Sequence, residues 1–485
     1  MLWAAQFNPG VKAMKRGWVA LLTALCLAFA VRALLLIDAT ALWGDELYSV
    51  GKSFQPSFST LLALLREDTH PPGYYTLLWF WGYLVGQSPV SLRLLSWLAY
   101  VAGGWVIVQQ STALAEHRGR SAAMAALLVF CSPYPIRFAI EGKSYALLVL
   151  LVALLWWSRR ANKAVAYGFF AGLAGLTHFY GLFLVLATTV WDGWQRRWRL
   201  AIAAVIAALP ALAWIAYAAD YLFSSRPGSW IGPPDYALFE ETLARALGLW
   251  PLPKLALIVV LLLVLRRWGG LRCLRWPERH LLDASGLIPS LLMVAGVVAV
   301  SFYKPMAFSR YFVVLLPSVV PVVAVLVGRF ELNRLGRGCG LAVLVVLLAS
   351  WWGPGFAELD AGVGGVREKN QFRLISQRTS GLEERYSPSP RLFNLSDRME
   401  AAMGRITLSQ SPWKGRDALF QRLEAPDQAQ LLWLASSGSP SDMARKLKPL
   451  RSQVEQAGYR CEPQATDLTH AVLLQCQSES SRFRE

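Results

Sequence analysis

The chain has 485 residues, 55% of them hydrophobic and only 16% charged, well under the roughly 25% of an ordinary soluble domain, which it therefore is not. Lys and Arg number 48 against 31 Asp and Glu, a net +17, but the arginines collect in short clusters between apolar runs. That is the pattern of cytoplasmic flanks on a membrane protein, and it excludes a nucleic-acid-binding surface.

Residues Met1 to Ile37 begin with a basic stretch (Lys12, Lys15, Arg16) followed by an apolar run from Trp18. Ala39-Thr40-Ala41 resembles a signal-peptidase site, but the run is of span length, about 20 residues, and exceeds a signal h-region, so it reads as an uncleaved first span. Further apolar runs follow at 92–114, 121–136, 144–158, 164–177, 179–191, 199–219, 252–266, 285–302, 311–328 and 339–352. With the N-terminus inside, the inner connections carry nineteen basic residues and the outer ones eight, which sets the orientation. The decisive stretch is 164–191. Read as one tilted helix it would invert everything downstream and put Arg196 to Arg199 outside, so a tight hairpin near His178 is expected. The count is about eleven transmembrane helices.

The first outer connection, 38–91, is too apolar for a free loop. Leu61 to Leu65 and Tyr75 to Val85 suit helices lying in the interface plane, with Trp79 and Trp81 at headgroup depth. Residues 353–485 are polar, and odd parity places them outside. Met443, Leu447, Leu450 and Val454 have helical spacing, and Leu431 to Leu434 and Ala471 to Leu474 read as short buried strands. The expected organisation is a mostly α polytopic membrane region, 1–352, and a small α/β extracytoplasmic domain, 353–485. Cys461 and Cys476 stand alone in that region and could form one disulfide there.

On this topology the unusual polar residues fall on one side. Asp45, Glu46 and His70 lie in the first outer connection, Arg137, Glu141, Lys143 and Tyr145 in the second, His178 and Tyr180 at the third turn, and Tyr303, Lys304, Ser309, Arg310 and Tyr311 at the fifth. Acidic groups near hydrocarbon cost at least about 2–3 kcal/mol each, so the pair Asp45-Glu46 is expected to be functional or to face a wet cavity. These groups suit group transfer with an anionic, lipid-linked partner. Asp45 can act as general base on an acceptor hydroxyl or amine. Lys143, Arg310 and Lys304 can neutralise a phosphate leaving group. His70 and His178 could orient the phosphate or carry protons. A solvated loop end for Asp45-Glu46, a hydrogen-bonded helix end for His178 and a snorkelling Arg310 are the structural alternatives. Arg32 and Arg93 are as readily structural as functional.

Gly44-Asp45-Glu46, His70-Pro71-Pro72-Gly73-Tyr74-Tyr75 and Arg93-Leu94-Leu95-Ser96, taken in order, resemble the N-terminal half of the bacterial family 39-like glycosyltransferases. These belong to the GT-C superfamily with the protein O-mannosyltransferases and the lipid A aminoarabinose transferase. Ser132-Pro133 and Glu141-Gly142-Lys143-Ser144-Tyr145-Ala146-Leu147 are similar to that family's second outer loop, with Lys143 where arginine is common. Thr177-His178-Phe179-Tyr180-Gly181 and Ser309-Arg310-Tyr311 with Pro317 match later signatures. The resemblance covers about 15–350. It implies a GT-C fold, a polyprenyl-phosphate sugar as donor, the catalytic acid position at Asp45 and a second acidic position at Glu141. The expected site then has Asp45, Glu46 and Glu141 as catalytic residues, Lys143, Arg310, Lys304 and Tyr311 at the donor phosphate, and His70, Tyr74, Tyr75, Tyr145, His178 and Tyr180 in contact with substrate. The partners implied are the lipid-linked sugar, the bilayer and an acceptor that the sequence does not name. The implied location is the bacterial inner membrane with the site facing the periplasm. No cofactor is expected, and a divalent metal on Asp45, Glu46 and Glu141 stays open. Two other classes compete: a transporter or flippase of lipid-linked sugars, which would need charges near mid-membrane, and a non-catalytic scaffold, which leaves the acidic pair unexplained.

Overall fold

The computed structural model describes residues 16–38, 42, 44–224, 231–246, 277–330, 334–355, 391–394, 416–423, 431–437, 440–464 and 471–478. Helix α1 (Arg16–Leu35) opens the chain. The first connection then folds into three short helices, α2 (Gly44–Ser53), α3 (Phe58–Arg66) and α4 (Gly73–Val85). Ser57 caps α3 by accepting from the Thr60 N–H, and Ser88 caps α5 (Pro89–Leu114), with Pro89 in the first turn where its missing N–H costs nothing. These caps fix where α3 and α5 begin.

The run expected at 121–136 is not one helix. It divides into α6 (Arg118–Ala126), a π-helical turn (Leu127–Cys131) and α7 (Pro133–Arg137). The wide turn frees the Val129 carbonyl, which accepts from the Tyr100 hydroxyl of α5 at 2.7 Å. Next come α8 (Tyr145–Arg160), α9 (Ala164–Thr177), α10 (Phe179–Trp194) and α11 (Trp198–Tyr217).

Two contacts settle the hairpin at His178. At the start of α8, Tyr145 lies 6.0 Å, ring to ring, from His178 at the α9–α10 junction. At the other end of α8, Arg159 pairs with Asp192 near the end of α10 at 2.6 Å. Since α8 and α10 begin together and end together, α9 must run back between them. The single extended residue at the turn, His178 (φ −159°, ψ 142°), suffices because Gly181 packs against the Ala174 carbonyl where a Cβ would collide.

Beyond α12 (Ala219–Leu222) and α13 (Tyr236–Ala246), helices Leu287–Ser301 and Leu316–Gly328 are joined by a Ser290–Ser318 hydroxyl bond at 2.8 Å. Among the described residues, four helices are long and apolar enough to cross a bilayer: Pro89–Leu114, Trp198–Tyr217, Ser309–Gly328 and Gly336–Gly353. Ala20–Leu35, Ala164–Thr177 and Leu287–Ser301 are apolar but shorter. The expected run at 252–266 lies outside the described residues. The protein is an integral membrane protein, mostly helical, with a small C-terminal sheet.

That sheet has the order β1-β2-β4-β3, with β1 (Arg391–Asn394) parallel to β2 (Leu431–Ser437), and β4 (Ala471–Ser478) antiparallel to both β2 and β3 (Tyr459–Pro463). Strand alternation divides its side chains. Leu432, Leu434, Leu474 and Cys476 face Leu447, Leu450 and Val454 of helix Pro440–Gln456. Trp433, Ala435 and Leu473 pack instead with Leu42, Val50, Leu61 and Leu65 of the first connection. The sheet is thus wedged between its own helix and the interfacial helices beside Asp45. Cys461 and Cys476, partners across β3 and β4, are joined by a disulfide.

Candidate active site

Asp45 and Glu46 sit in the first turn of α2, where carboxylates complement the helix dipole. One residue of helical rotation sends them to different fates. Glu46 is fully buried; it accepts from Arg93 Nε at 2.7 Å and Nη2 at 2.6 Å, and from the Gly142 N–H at 2.7 Å. Arg93 also donates to the Ile37 carbonyl at 2.7 Å. With its oxygens so engaged, Glu46 joins α2 to Arg93 of α5 and to the loop at Gly142, and this member of the expected catalytic group is enclosed where Asp45 is not. Gly142 has no alternative, since a Cβ there would enter the Leu92 side chain.

Asp45 keeps a third of its side chain exposed and pairs with Arg310 Nη1 at 2.9 Å. Arg310 reaches it from the 3-10 segment Ser309–Leu315 and stacks over Phe308 at 4.8 Å. Ser309 donates to Glu241 of α13 at 2.8 Å, which anchors the start of that segment. The loop that Glu46 holds delivers the next pair. Glu141 is buried, with Arg137 at 3.9 Å and no hydrogen-bond partner for its Oε1 among the described residues. Burial pushes its carboxyl up, Arg137 and Arg310 pull it back, and Glu46 and Asp45 add to the rise. Burial pushes the Lys143 ammonium down, partly offset by Asp45, and its Nζ donates to the Tyr75 hydroxyl at 3.5 Å.

On the far side of Tyr75 lies a second group. Lys52 pairs with Asp68 at 2.6 Å, and His70 Nδ1 lies 3.5 Å from the same carboxylate and 3.1 Å from the Thr69 hydroxyl. Burial pushes the His70 imidazole down, against the pull of Asp68. The rings of Tyr145, His178, Tyr180 and Tyr311 complete the wall, with His178 and Tyr311 at 5.2 Å and Tyr180 and Tyr311 at 5.3 Å. Tyr74 packs edge-on against Tyr75 at 5.4 Å.

The structure therefore gathers Asp45, Glu141, Lys143, Arg310, Tyr311, His70, Tyr75, Tyr145, His178 and Tyr180 at one end of the helices. Lys304 donates to the Leu222 carbonyl at 2.9 Å and lies over Phe223, and no contact joins it to the residues gathered around Asp45 among those described. Arg32, in the last turn of α1, donates to the Trp352 carbonyl and stacks on that ring at 4.3 Å. Sequence reasoning passed over Asp68 and Glu241. Asp68 carries one signal, its place two residues before His70, whereas Glu241 carries none, since its partner Ser309 is distant in the chain. Among the described residues no cluster of three or more His, Cys, Asp or Glu is placed to hold a metal ion.

This architecture is similar to that of ArnT from Cupriavidus metallidurans. The crystal structure bound to undecaprenyl phosphate matches with a TM-score of 0.57 at 16% identity, over 95% of this chain and 98% of that one. The apo structure of the same protein matches with a TM-score of 0.57 at 15% identity, over 96% and 98%. No protein-family profile and no curated protein sequence matches the chain. The likeness is one of fold: the chain shares the membrane fold of that protein along nearly its whole length.

Proposed function

We propose that this protein is a membrane glycosyltransferase that moves a sugar from a polyprenyl-phosphate donor to an acceptor outside the cytoplasm. The observation that carries the reading is the pairing of a part-exposed carboxylate, Asp45, with Arg310, beside Lys143. Asp45 accepts the proton of the attacking acceptor hydroxyl or amine. The acceptor oxygen or nitrogen bonds to the anomeric carbon, the carbon–oxygen bond to phosphate breaks, and polyprenyl phosphate leaves with one more negative charge. Arg310 and Lys143 stand where that charge grows. Arg310's forked guanidinium suits the phosphate, and Lys143 supplies charge without bidentate geometry. Support for a lipid-phosphate partner comes from ArnT, whose similar fold holds undecaprenyl phosphate.

Residues 1–352 are read as the catalytic membrane region and 353–485 as an extracytoplasmic unit. The site faces the periplasm of a bacterial inner membrane, in keeping with the bias of basic residues to the other face and with a disulfide in the sheet packed beside the site. The test is turnover of a polyprenyl-phosphate sugar by purified protein. Asp45→Asn keeps shape and hydrogen bonding but loses the base, so turnover falls about 10²–10⁴-fold with donor binding kept. Near-normal turnover by that variant would remove Asp45 from catalysis, and no turnover by the wild type would return lipid-linked sugar transport as the better reading.

A further inference from the structure

His178 does more than turn the chain. Its Nδ1 accepts a hydrogen bond from the Tyr180 backbone N–H at 3.1 Å, capping α10. A ring nitrogen that accepts carries no proton, so the neutral imidazole must hold its hydrogen on Nε2. That Nε2 is buried without a hydrogen-bond partner among the described residues, in a residue only 4% exposed. Native folds seldom bury a polar group unpaired unless something else fills its need.

The surroundings say what that is. The His178 ring lies 5.7 Å from His70 and 5.2 Å from Tyr311, whose neighbour Arg310 holds Asp45. His70 lies 6.1 Å from the Tyr75 ring, and Tyr75 accepts from Lys143. This corner is rich in donors and already holds two buried ammoniums, Lys143 and the Lys52 that Asp68 pairs. An anionic oxygen suits it, and a neutral N–H can bind that oxygen without a further buried positive charge.

We infer that His178 Nε2–H is a fixed, uncharged hydrogen-bond donor to a phosphate oxygen of the lipid donor and passes no proton. The inference rests on the glycosyltransferase reading and adds a specific contact to it. Because the Nδ1 bond to Tyr180 locks the tautomer, the ring would have to break its own helix cap to shuttle protons. The bland alternative, a histidine that only caps α10, makes no use of Nε2.

Two substitutions separate these roles. In His178→Asn the amide oxygen can take the place of Nδ1 and asparagine is a favoured N-cap, so the fold is kept while the Nε2 donor is lost. In His178→Gln the longer amide can place an N–H near the Nε2 position. Undecaprenyl phosphate is titrated into the purified full-length protein in detergent, with thermal stability followed alongside and inorganic phosphate added as competitor. The expected result is that His178→Asn, stable as wild type, binds about 10- to 100-fold more weakly, the loss typical of a hydrogen bond to a charged group, while His178→Gln recovers most of the affinity. Competition by inorganic phosphate in the wild type, weakened in His178→Asn, assigns the bond to the phosphoryl group; a wild-type site that only the lipid fills, with the same ranking of variants, assigns it to the phosphate presented on its chain. Unchanged binding by His178→Asn, or no recovery with His178→Gln in a stable protein, would overturn the inference alone. Failure of the wild type to bind undecaprenyl phosphate would overturn both it and the donor assignment.

Discussion

Asp45 and Arg310 meet at 2.9 Å although they lie at opposite ends of the membrane sequence, one in the first connection and one in the last segment before Leu316–Gly328. On the proposed mechanism the pair couples the base to the cation that receives the leaving group. If each serves the same transition state, their substitutions will not add. Arg310→Ala should weaken donor binding and slow transfer, and Asp45→Asn should slow transfer alone. The double variant should be less impaired than the sum by about 0.5–3 kcal/mol, measured from turnover rates in a double-mutant cycle. Strict additivity would mean that the two act independently.

Glu46 and Arg93 are nearly fully enclosed, at 1% and 3% side-chain exposure, and this makes them a structural pair. Removing one member leaves the other charged and buried, which costs about 3–5 kcal/mol. Arg93→Met should therefore lower the thermal midpoint strongly, and Gly142→Ala should do so through its clash with Leu92. Residual folded enzyme from either variant should show reduced activity, because the Gly142 N–H bond to Glu46 holds the loop carrying Glu141 and Lys143. Thermal unfolding in detergent checks the first expectation, and turnover per folded molecule the second.

Much of this was legible because it is local. The Thr177-His178-Phe179-Tyr180-Gly181 break, the polar residues gathered on one side and the helix and strands of the C-terminal region all show in runs of a few residues. What was not legible depends on long-range partners. Asp45 and Glu46 are indistinguishable as neighbouring acids until α5 places Arg93 under one of them. Lys304 and Arg310 read alike as phosphate ligands, and only the fold shows one on the Leu222 carbonyl and the other on Asp45. Asp68 became meaningful only beside Lys52, and Glu241 only beside Ser309. Apolar periodicity likewise marks a run at 121–136 but not its π-helical turn, whose freed carbonyl is met by Tyr100 from another helix.

At the opposite end of the helices Arg159 binds Asp192 at 2.6 Å and Asp283 at 2.9 Å, and Arg197 joins both acids. This network ties α8 and α10 to the helix Arg279–Ala284 far from Asp45. Asp192→Ala should destabilise the protein, but by less than the cost of a stranded buried charge, about 3–5 kcal/mol, because Asp283 still holds Arg159. It should leave the affinity of the folded protein for undecaprenyl phosphate unchanged. A drop in affinity at full folding would show that the two ends communicate.

The bridge between Cys461 and Cys476 links β3 to β4 while the other face of the sheet packs on the first connection. A thiol reagent should label neither cysteine until reductant is added, as read by mass. Replacing both with serine should destabilise the sheet by about 2–4 kcal/mol on the loop-entropy account. Labelling of both in the untreated protein would show that they are not joined.

The group around His70 predicts a pH dependence of stability. Burial raises the Asp68 carboxyl, but the Lys52 charge and then His70 more than offset it and hold it well below the usual carboxylate range. A depressed carboxylate stabilises the fold above its unfolded value, about 3.9, and loses that contribution as pH falls toward the folded value. His70 is pushed below its ordinary value by burial, with Asp68 opposing. Between its folded value and the unfolded value, about 6.5, the unfolded chain binds the extra proton, so stability is lost as pH falls below about 6.5. Both groups act in the same direction. The thermal midpoint should decline as the medium is acidified from neutrality, first through His70 and at lower pH through Asp68. His70→Gln should flatten the first part of that decline and also reduce the second, because His70 is one of the groups that hold Asp68 low. An identical slope in wild type and His70→Gln between pH about 6.5 and 5 would remove His70 as its source.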